Sequence, residues 1–162
     1  FNFENPVLPQ TRVRTTLAKQ VALYLIIYSP LQMASDLPEN YTQNKAFDFI
    51  KSVPVNWEDT RVPAAKIGDY VVTVRKDLKS EDWYCGAITD ENARTIELDL
   101  NFLSPEKKYI AGIVSDAKEA DWQNNPTAFQ YREQAVRYGE KLRMELAPGG
   151  GQAIRFKPGQ SE

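Results

Sequence analysis

At 162 residues, with 42% hydrophobic and 26% charged side chains, the chain has the make-up of a folded globular protein and the length of one ordinary domain, or of a small domain with a piece of another. Lysine plus arginine (20) nearly balances aspartate plus glutamate (22), so a net charge of -2 gives no electrostatic ground for a nucleic acid or an anionic membrane surface as partner. Histidine is absent, which excludes Ser-His-Asp and Cys-His catalysis and His-ligated zinc, and the single cysteine, Cys85, excludes an internal disulfide.

A chain that opens at Phe1 rather than Met is expected to have lost something upstream. Its longest apolar run, Val21 to Tyr28, is far shorter than the ~20 residues that cross a bilayer, so no membrane span is expected. The run follows polar Thr-Arg-Val-Arg-Thr-Thr and has no small-residue cleavage site behind it, which argues against a signal peptide. Thr15 or Thr16 is placed to cap a helix running to about Tyr28, with Leu17, Val21, Tyr24, Leu25 and Tyr28 on one face. Ala18, Ala22 and Ile26 make the opposite side apolar too. A helix apolar nearly all round is buried on more than one side, so this one is expected to be a layer of a larger body. Ser29-Pro30 should end it, with a further turn over Leu31 to Ala34.

Asp36-Leu37-Pro38 reads as a loop, and a shorter helix is expected from about Thr42 to Ser52, burying Phe47, Ile50 and Val53 and stopped by Pro54. Beyond Pro54 the period changes from helical to alternating. Strands are expected at Tyr70 to Arg75, Trp83 to Ile88, Ile96 to Leu100, Tyr109 to Ile113, Phe129 to Tyr131, Leu142 to Leu146 and Ala153 to Phe156. Turn chemistry separates them, at Asp90-Glu91-Asn92, Ser104-Pro105, Asn124-Asn125-Pro126 and Tyr138-Gly139. Seven or eight such strands make an antiparallel sandwich or curled sheet, with a boundary near Pro54 dividing a helical part from an all-β part. No internal repeat stands out, and Gly159 to Glu162 is expected to fray.

Paired carboxylates with unlike pKa values are a catalytic kit that needs no histidine. Glu39, Asp48, Glu58, Asp59, Asp90, Glu91, Asp116, Glu119 and Asp121 all fall in or beside expected loops, where solvated surface acids are the rule, and none is singled out as catalytic. Asp90-Glu91-Asn92 is a tight turn rather than a calcium loop. Gly149-Gly150-Gly151 leads into a strand and offers no helix N-terminus to a phosphate. Trp83 alternates with Cys85 and Ala87 and is assigned to the core. Trp57 and Trp122, at strand edges, suit either packing between domains or a platform for a sugar ring. Cys85, in mid-strand, reads as an inert small hydrophobe.

The wording of the sequence adds a resemblance. Thr15 to Tyr24 (TTLAKQVALY) and Tyr28 to Tyr41 (YSPLQMASDLPENY) resemble the last barrel helix and following loop of glycoside hydrolase family 97. Phe47 to Pro54 (FDFIKSVP), Trp57, Ile67 to Tyr70 (IGDY), Asp82 to Tyr84 (DWY), Gly86, Thr89 to Arg94 (TDENAR) and Leu146 to Gly151 (LAPGGG) continue the likeness in the same order. The resemblance implies a calcium-dependent, exo-acting α-glucosidase or α-galactosidase acting on oligosaccharides in a bacterial periplasm. It further implies an N-terminal β-sandwich, a central (β/α)8 barrel and a C-terminal β domain.

On that reading residues 1–53 are the C-terminal helical end of the (β/α)8 barrel and 54–162 an antiparallel β-sandwich. The family's catalytic and calcium-binding glutamates lie upstream and match no position here, so no catalytic, cofactor-binding or metal-binding residue is assigned. The partners implied are the upstream barrel and N-terminal sandwich, with a second copy in a homodimer and the oligosaccharide bound by the parent. A non-catalytic carbohydrate-binding β-sandwich module is the alternative. Neither the substrate sugar nor the choice between inversion and retention is implied.

Overall fold

The computed structural model describes residues 13–34 and 44–159; the expected loop at Asp36-Leu37-Pro38 and the first positions of the helix expected at Thr42 lie outside them. Helix α1 is Leu17–Ile26. The Thr16 side chain caps it by accepting from the Lys19 amide at 3.2 Å. Two further amides of its first turn, which no helix can satisfy internally, donate to loop carbonyls: Thr16 N to Gly149 at 3.1 Å and Leu17 N to Pro126 at 2.7 Å. The helix stops two residues short of Tyr28. Leu31 to Ala34 is not helical: the Ser29 hydroxyl donates to the Leu31 carbonyl at 2.6 Å just where Pro30 has removed a donor. Helix α2, Lys45–Lys51, is capped by the Asn44 side chain, which accepts from Ala46 N at 2.9 Å. Its buried stripe is Ala46 and Phe49, with Ile50 and Val53 packed behind them, whereas Phe47 stays partly exposed under the Lys51 ammonium.

Eight strands follow: β1 (Trp57–Lys66), β2 (Tyr70–Asp77), β3 (Trp83–Thr89), β4 (Arg94–Asp99), β5 (Lys108–Asp116), β6 (Phe129–Arg137), β7 (Lys141–Leu146) and β8 (Gly151–Pro158). Six form one antiparallel sheet in the order β1-β2-β3-β8-β5-β6, and β4 pairs with β7 in a second. The expected strands are all present. Strand β1 was not anticipated: it is an edge strand exposed along most of its length, with pairing irregularities between Trp57 and Asp59 and between Arg61 and Ala64, where Pro63 sits. A strand that buries neither face carries no alternation to read.

The six-stranded sheet is buried on both faces at its centre, because successive side chains of β3 and β8 point to opposite cores. Toward the small sheet, Trp83, Cys85, Ile113, Ile154 and Phe156 pack with Leu98, Leu142 and Met144. On the other face Tyr84, Val114 and Ala153 pack with Leu17, Val21, Leu25 and Phe49 of the helices. The layers are therefore helix, six-stranded sheet, two-stranded sheet. The expectation that α1 needs a larger body to bury against is corrected for its main face: Val21 and Ala22 are 0% exposed and Leu25 is 1% exposed within this chain alone.

The close approach of α1 is permitted by glycine. A Cβ on Gly86 would lie 2.9 Å from both the Ala22 carbonyl oxygen and Leu25 Cβ, and one on Gly151 would lie 2.6 Å from Lys19 Cα. Arg75 of β2 closes the far end of the helix, donating from Nε to the Leu25 carbonyl at 2.7 Å and from a terminal nitrogen to that of Ile26 at 3.1 Å. A cation is thus set at the negative end of a helix that has no basic residue in its own last turn.

Candidate functional site

The carboxylates considered from sequence are dispersed. Asp48 pairs with Lys51 at 2.8 Å, Asp59 with Arg61 at 2.7 Å, and Glu58 with Lys76 at 2.7 Å, all on the surface. Asp121 takes up the amides of Gln123 and Asn124 in a loop, while Glu91 and Glu119 are exposed and Glu39 lies outside the described residues. Asp90 organises the β3–β4 turn: it accepts from Asn92 N at 2.9 Å and Arg94 at 3.0 Å. These bonds draw its pKa down to about 2, the backbone amide of Asn92 contributing most.

Asp116 departs from the reading of a solvated loop acid. Strand β5 runs three residues beyond Ile113, so Asp116 closes a strand and is only 6% exposed. One carboxylate oxygen accepts from Ala147 N at 3.0 Å and from Gly151 N at 2.9 Å, tying the end of β5 to the connection between β7 and β8. Burial pushes its pKa above the ordinary carboxylate range, outweighing the hydrogen bonds from Thr16, Ala147 and Gly151 and the attraction of Lys19. Asp82 is a second buried acid that sequence reasoning passed over; it pairs with Arg155 at 2.6 Å across β3 and β8.

The tryptophans serve packing. Trp83 is buried beside Phe102, ring centres 5.1 Å apart, and Trp57 meets the buried Tyr84 ring edge-on at 5.5 Å while Arg75 lies over it. The Tyr84 hydroxyl donates to the Ser52 carbonyl at 2.7 Å, and burial pushes its pKa up to about 12. Trp122 packs against Gly149, whose positive φ of 64° lets the chain turn into β8. Cys85 is fully buried, which pushes its thiol pKa upward and leaves it un-ionised.

A cavity of about 590 Å³ opens at one end of the sandwich, among the last residues of β5, the first of β8, and β6 and β7. Ser115, Asp116 and Gln152 form its buried wall, and Arg132, Arg143 and Glu145 stand on its exposed rim. A groove of about 440 Å³ lies between Lys19 of α1 and the β1–β2 turn, walled largely by apolar atoms around Ile67 and Tyr70. Among the described residues no three Cys, Asp or Glu side chains come together to hold a metal ion.

Residues 56–157 match the family described as "Glycosyl-hydrolase 97 C-terminal, oligomerisation". Over 153 residues, 94% of this chain and 22% of the relative, the sequence is 35% identical to a retaining alpha-galactosidase of Bacteroides thetaiotaomicron. A glycoside hydrolase family 97 enzyme from a Pseudoalteromonas species, solved in complex with panose, superposes with a TM-score of 0.88 at 46% identity, over 92% of this chain and 23% of that one. A beta-arabinopyranosidase superposes at 0.73 with 25% identity, over 90% and 22%. The chain thus spans about a fifth of the length of the relatives it matches. The family's C-terminal domain accounts for most of the residues and for every strand of both sheets, and this chain belongs to glycoside hydrolase family 97.

Proposed function

We propose that this chain is the C-terminal segment of an exo-acting α-glycosidase, an α-glucosidase or α-galactosidase that hydrolyses oligosaccharides, and that the segment braces and oligomerises the enzyme without taking part in catalysis. The match of residues 56–157 to a domain described by oligomerisation carries this reading. The surface supports it. Ile27, Tyr28, Leu31 and Met33, which follow α1, are all more than half exposed, an apolar stretch of the kind that another protein surface covers. In this reading residues 1–53 complete the (β/α)8 barrel, and the exposed stretch lies against it and the N-terminal sandwich. Catalytic groups in such barrels stand at the C-terminal ends of strands, which precede a closing helix in the chain. The calcium ligands of the parent are assigned upstream as well, and the enzyme to the periplasm.

The test compares the full-length parent with a form ended before Trp57, using light scattering coupled to size-exclusion chromatography and hydrolysis of nitrophenyl α-glucoside and α-galactoside. The full-length protein is expected to form a larger assembly than the shortened one, and the 162-residue chain to hydrolyse neither substrate. An unchanged assembly after shortening, or turnover by this chain alone, overturns the reading.

A further inference from the structure

We propose that strand β6 is the seam between two copies of this chain, which join their six-stranded sheets edge to edge and antiparallel into one continuous sheet. This rests on the reading of the segment as an oligomerising one and names the surface it uses. The sheet has two outer strands, β1 and β6. An outer strand offers a row of unpaired amides and carbonyls to any second strand, and proteins blunt such edges with proline, bulges and lysine. Strand β1 carries all three: Pro63, the two breaks in its pairing with β2, and Lys66. Strand β6 (FQYREQAVR) carries none of them. It keeps one register with β5 along its whole length, contains neither proline nor lysine, and is exposed from Gln130 to Ala135.

The ladder shows which backbone groups of β6 are free. Ala117 N donates to the Ala128 carbonyl at 3.2 Å, in step with the β5–β6 pairs, and residues of an antiparallel pair alternate between bonding their neighbour and facing away from it. The amides and carbonyls of Phe129, Tyr131, Glu133, Ala135 and Arg137 therefore point outward. Arg137 uses its own within the turn, donating to Glu140 Oε2 at 3.0 Å and accepting from Glu140 N at 3.3 Å. The other four meet no hydrogen-bond partner among the described residues. A second copy of β6 supplies one, by adding a strand to the sheet. Two like strands that pair antiparallel about a twofold axis set one residue opposite itself. Arg132 or Glu133 at the axis would oppose like charges, which disfavours those registers. With the axis at Gln134 or Ala135, Glu133 lies opposite or diagonal to Arg137 of the second copy, and the outward groups of Ala135 bond across the seam. Tyr131 and Ile110 of the neighbouring strand are exposed on the same face as Ala135 and add apolar surface beside it.

Self-association of the full-length protein is measured by sedimentation equilibrium, and exposure of the edge by hydrogen exchange of the peptide spanning β6. Ala135→Pro removes an outward amide, leaves the bonds to β5 in place, and is expected to weaken self-association about tenfold. Glu133→Arg and Arg137→Glu should each weaken it to a similar extent, because a twofold axis repeats every contact. The double variant should recover most of that loss. Positions 133 and 137 are about 13 Å apart along one strand, too far to pair within a chain, so such recovery arises only between copies. Exchange of the β6 peptide should slow as protein concentration rises through the association. Three results overturn the proposal: self-association untouched by the three single substitutions, a double variant as weak as the weaker single one, and β6 exchange that does not depend on concentration. Protection of β6 in the lone enzyme would mean that its own upstream domains cover the edge. If the form ended before Trp57 still assembles as the full-length protein does, the oligomerising role itself fails; if that form comes apart while the β6 variants do not, only the seam is wrong.

Discussion

Asp116 shows how one side chain joins three parts of the chain. Its carboxylate receives amides from the β7–β8 connection, faces Thr16 at the start of α1, and terminates β5. Because burial raises its pKa in the folded state, the folded protein holds the proton to higher pH than the unfolded chain does. Stability is therefore expected to fall as pH rises from the ordinary carboxylate value through the raised one, and to be level above it. Asp116→Asn keeps an oxygen for the Ala147 and Gly151 amides and has no proton to lose. Unfolding free energies of the two proteins, measured by urea titration at several pH values, should differ by an amount that changes across that window. A wild type that gains stability with rising pH relative to the variant would mean that the hydrogen bonds outweigh burial. Nothing in the sequence separates Asp116 from the other acids, since it is followed by Ala117 and the charged pair Lys118-Glu119; only the length and register of β5 bury it. Asp90 was legible by contrast, because a turn acid acts on residues two and four positions along.

Between α1 and the sheet the decisive feature is proximity. Helix α1 lies so close to β3 that Gly86 has no room for a side chain, and the contact atoms include the helix backbone itself. Gly86→Ala must push α1 away or bend β3, and we expect a loss of about 1–3 kcal/mol, read as a lower urea midpoint with an unchanged slope. A change within about 0.5 kcal/mol, the scatter of ordinary surface substitutions, would show that the helix rests on the sheet more loosely than its geometry indicates. The identity of α1 and of the regularly alternating strands was legible because period follows burial: β7 reads exposed, buried, exposed, buried along its length. Strand β1 was not, because an edge exposed on both sides selects no alternation. The early end of α1 was equally hidden. Arg75, some fifty residues away, takes its last carbonyls, and no local pattern announces a cap supplied by a distant strand.

At the scale of the molecule, the chain buries a core on each face of its main sheet yet leaves a run of apolar side chains uncovered beyond α1. Leu31 and Met33 are 72% and 74% exposed, close to Ile27 and Tyr28, whereas the buried half of α1 is satisfied by the sheet. The helix was read from sequence as apolar on all sides and therefore as one layer of something larger. The structure moves that argument from the helix, which is buried on its main face here, to the segment that follows it. If the rest of a family 97 enzyme covers this segment, Met33 becomes a reporter of the contact. The chain has two methionines, and Met144 is wholly buried between the sheets. Dilute hydrogen peroxide should convert Met33 to the sulfoxide rapidly in the 162-residue chain and at least tenfold more slowly in the full-length protein, with Met144 slow in both. Peptide mass spectrometry separates the two sites. Equal reactivity of Met33 in the two forms would place the segment in solvent in the parent as well, and would overturn its reading as a surface covered by the rest of the enzyme.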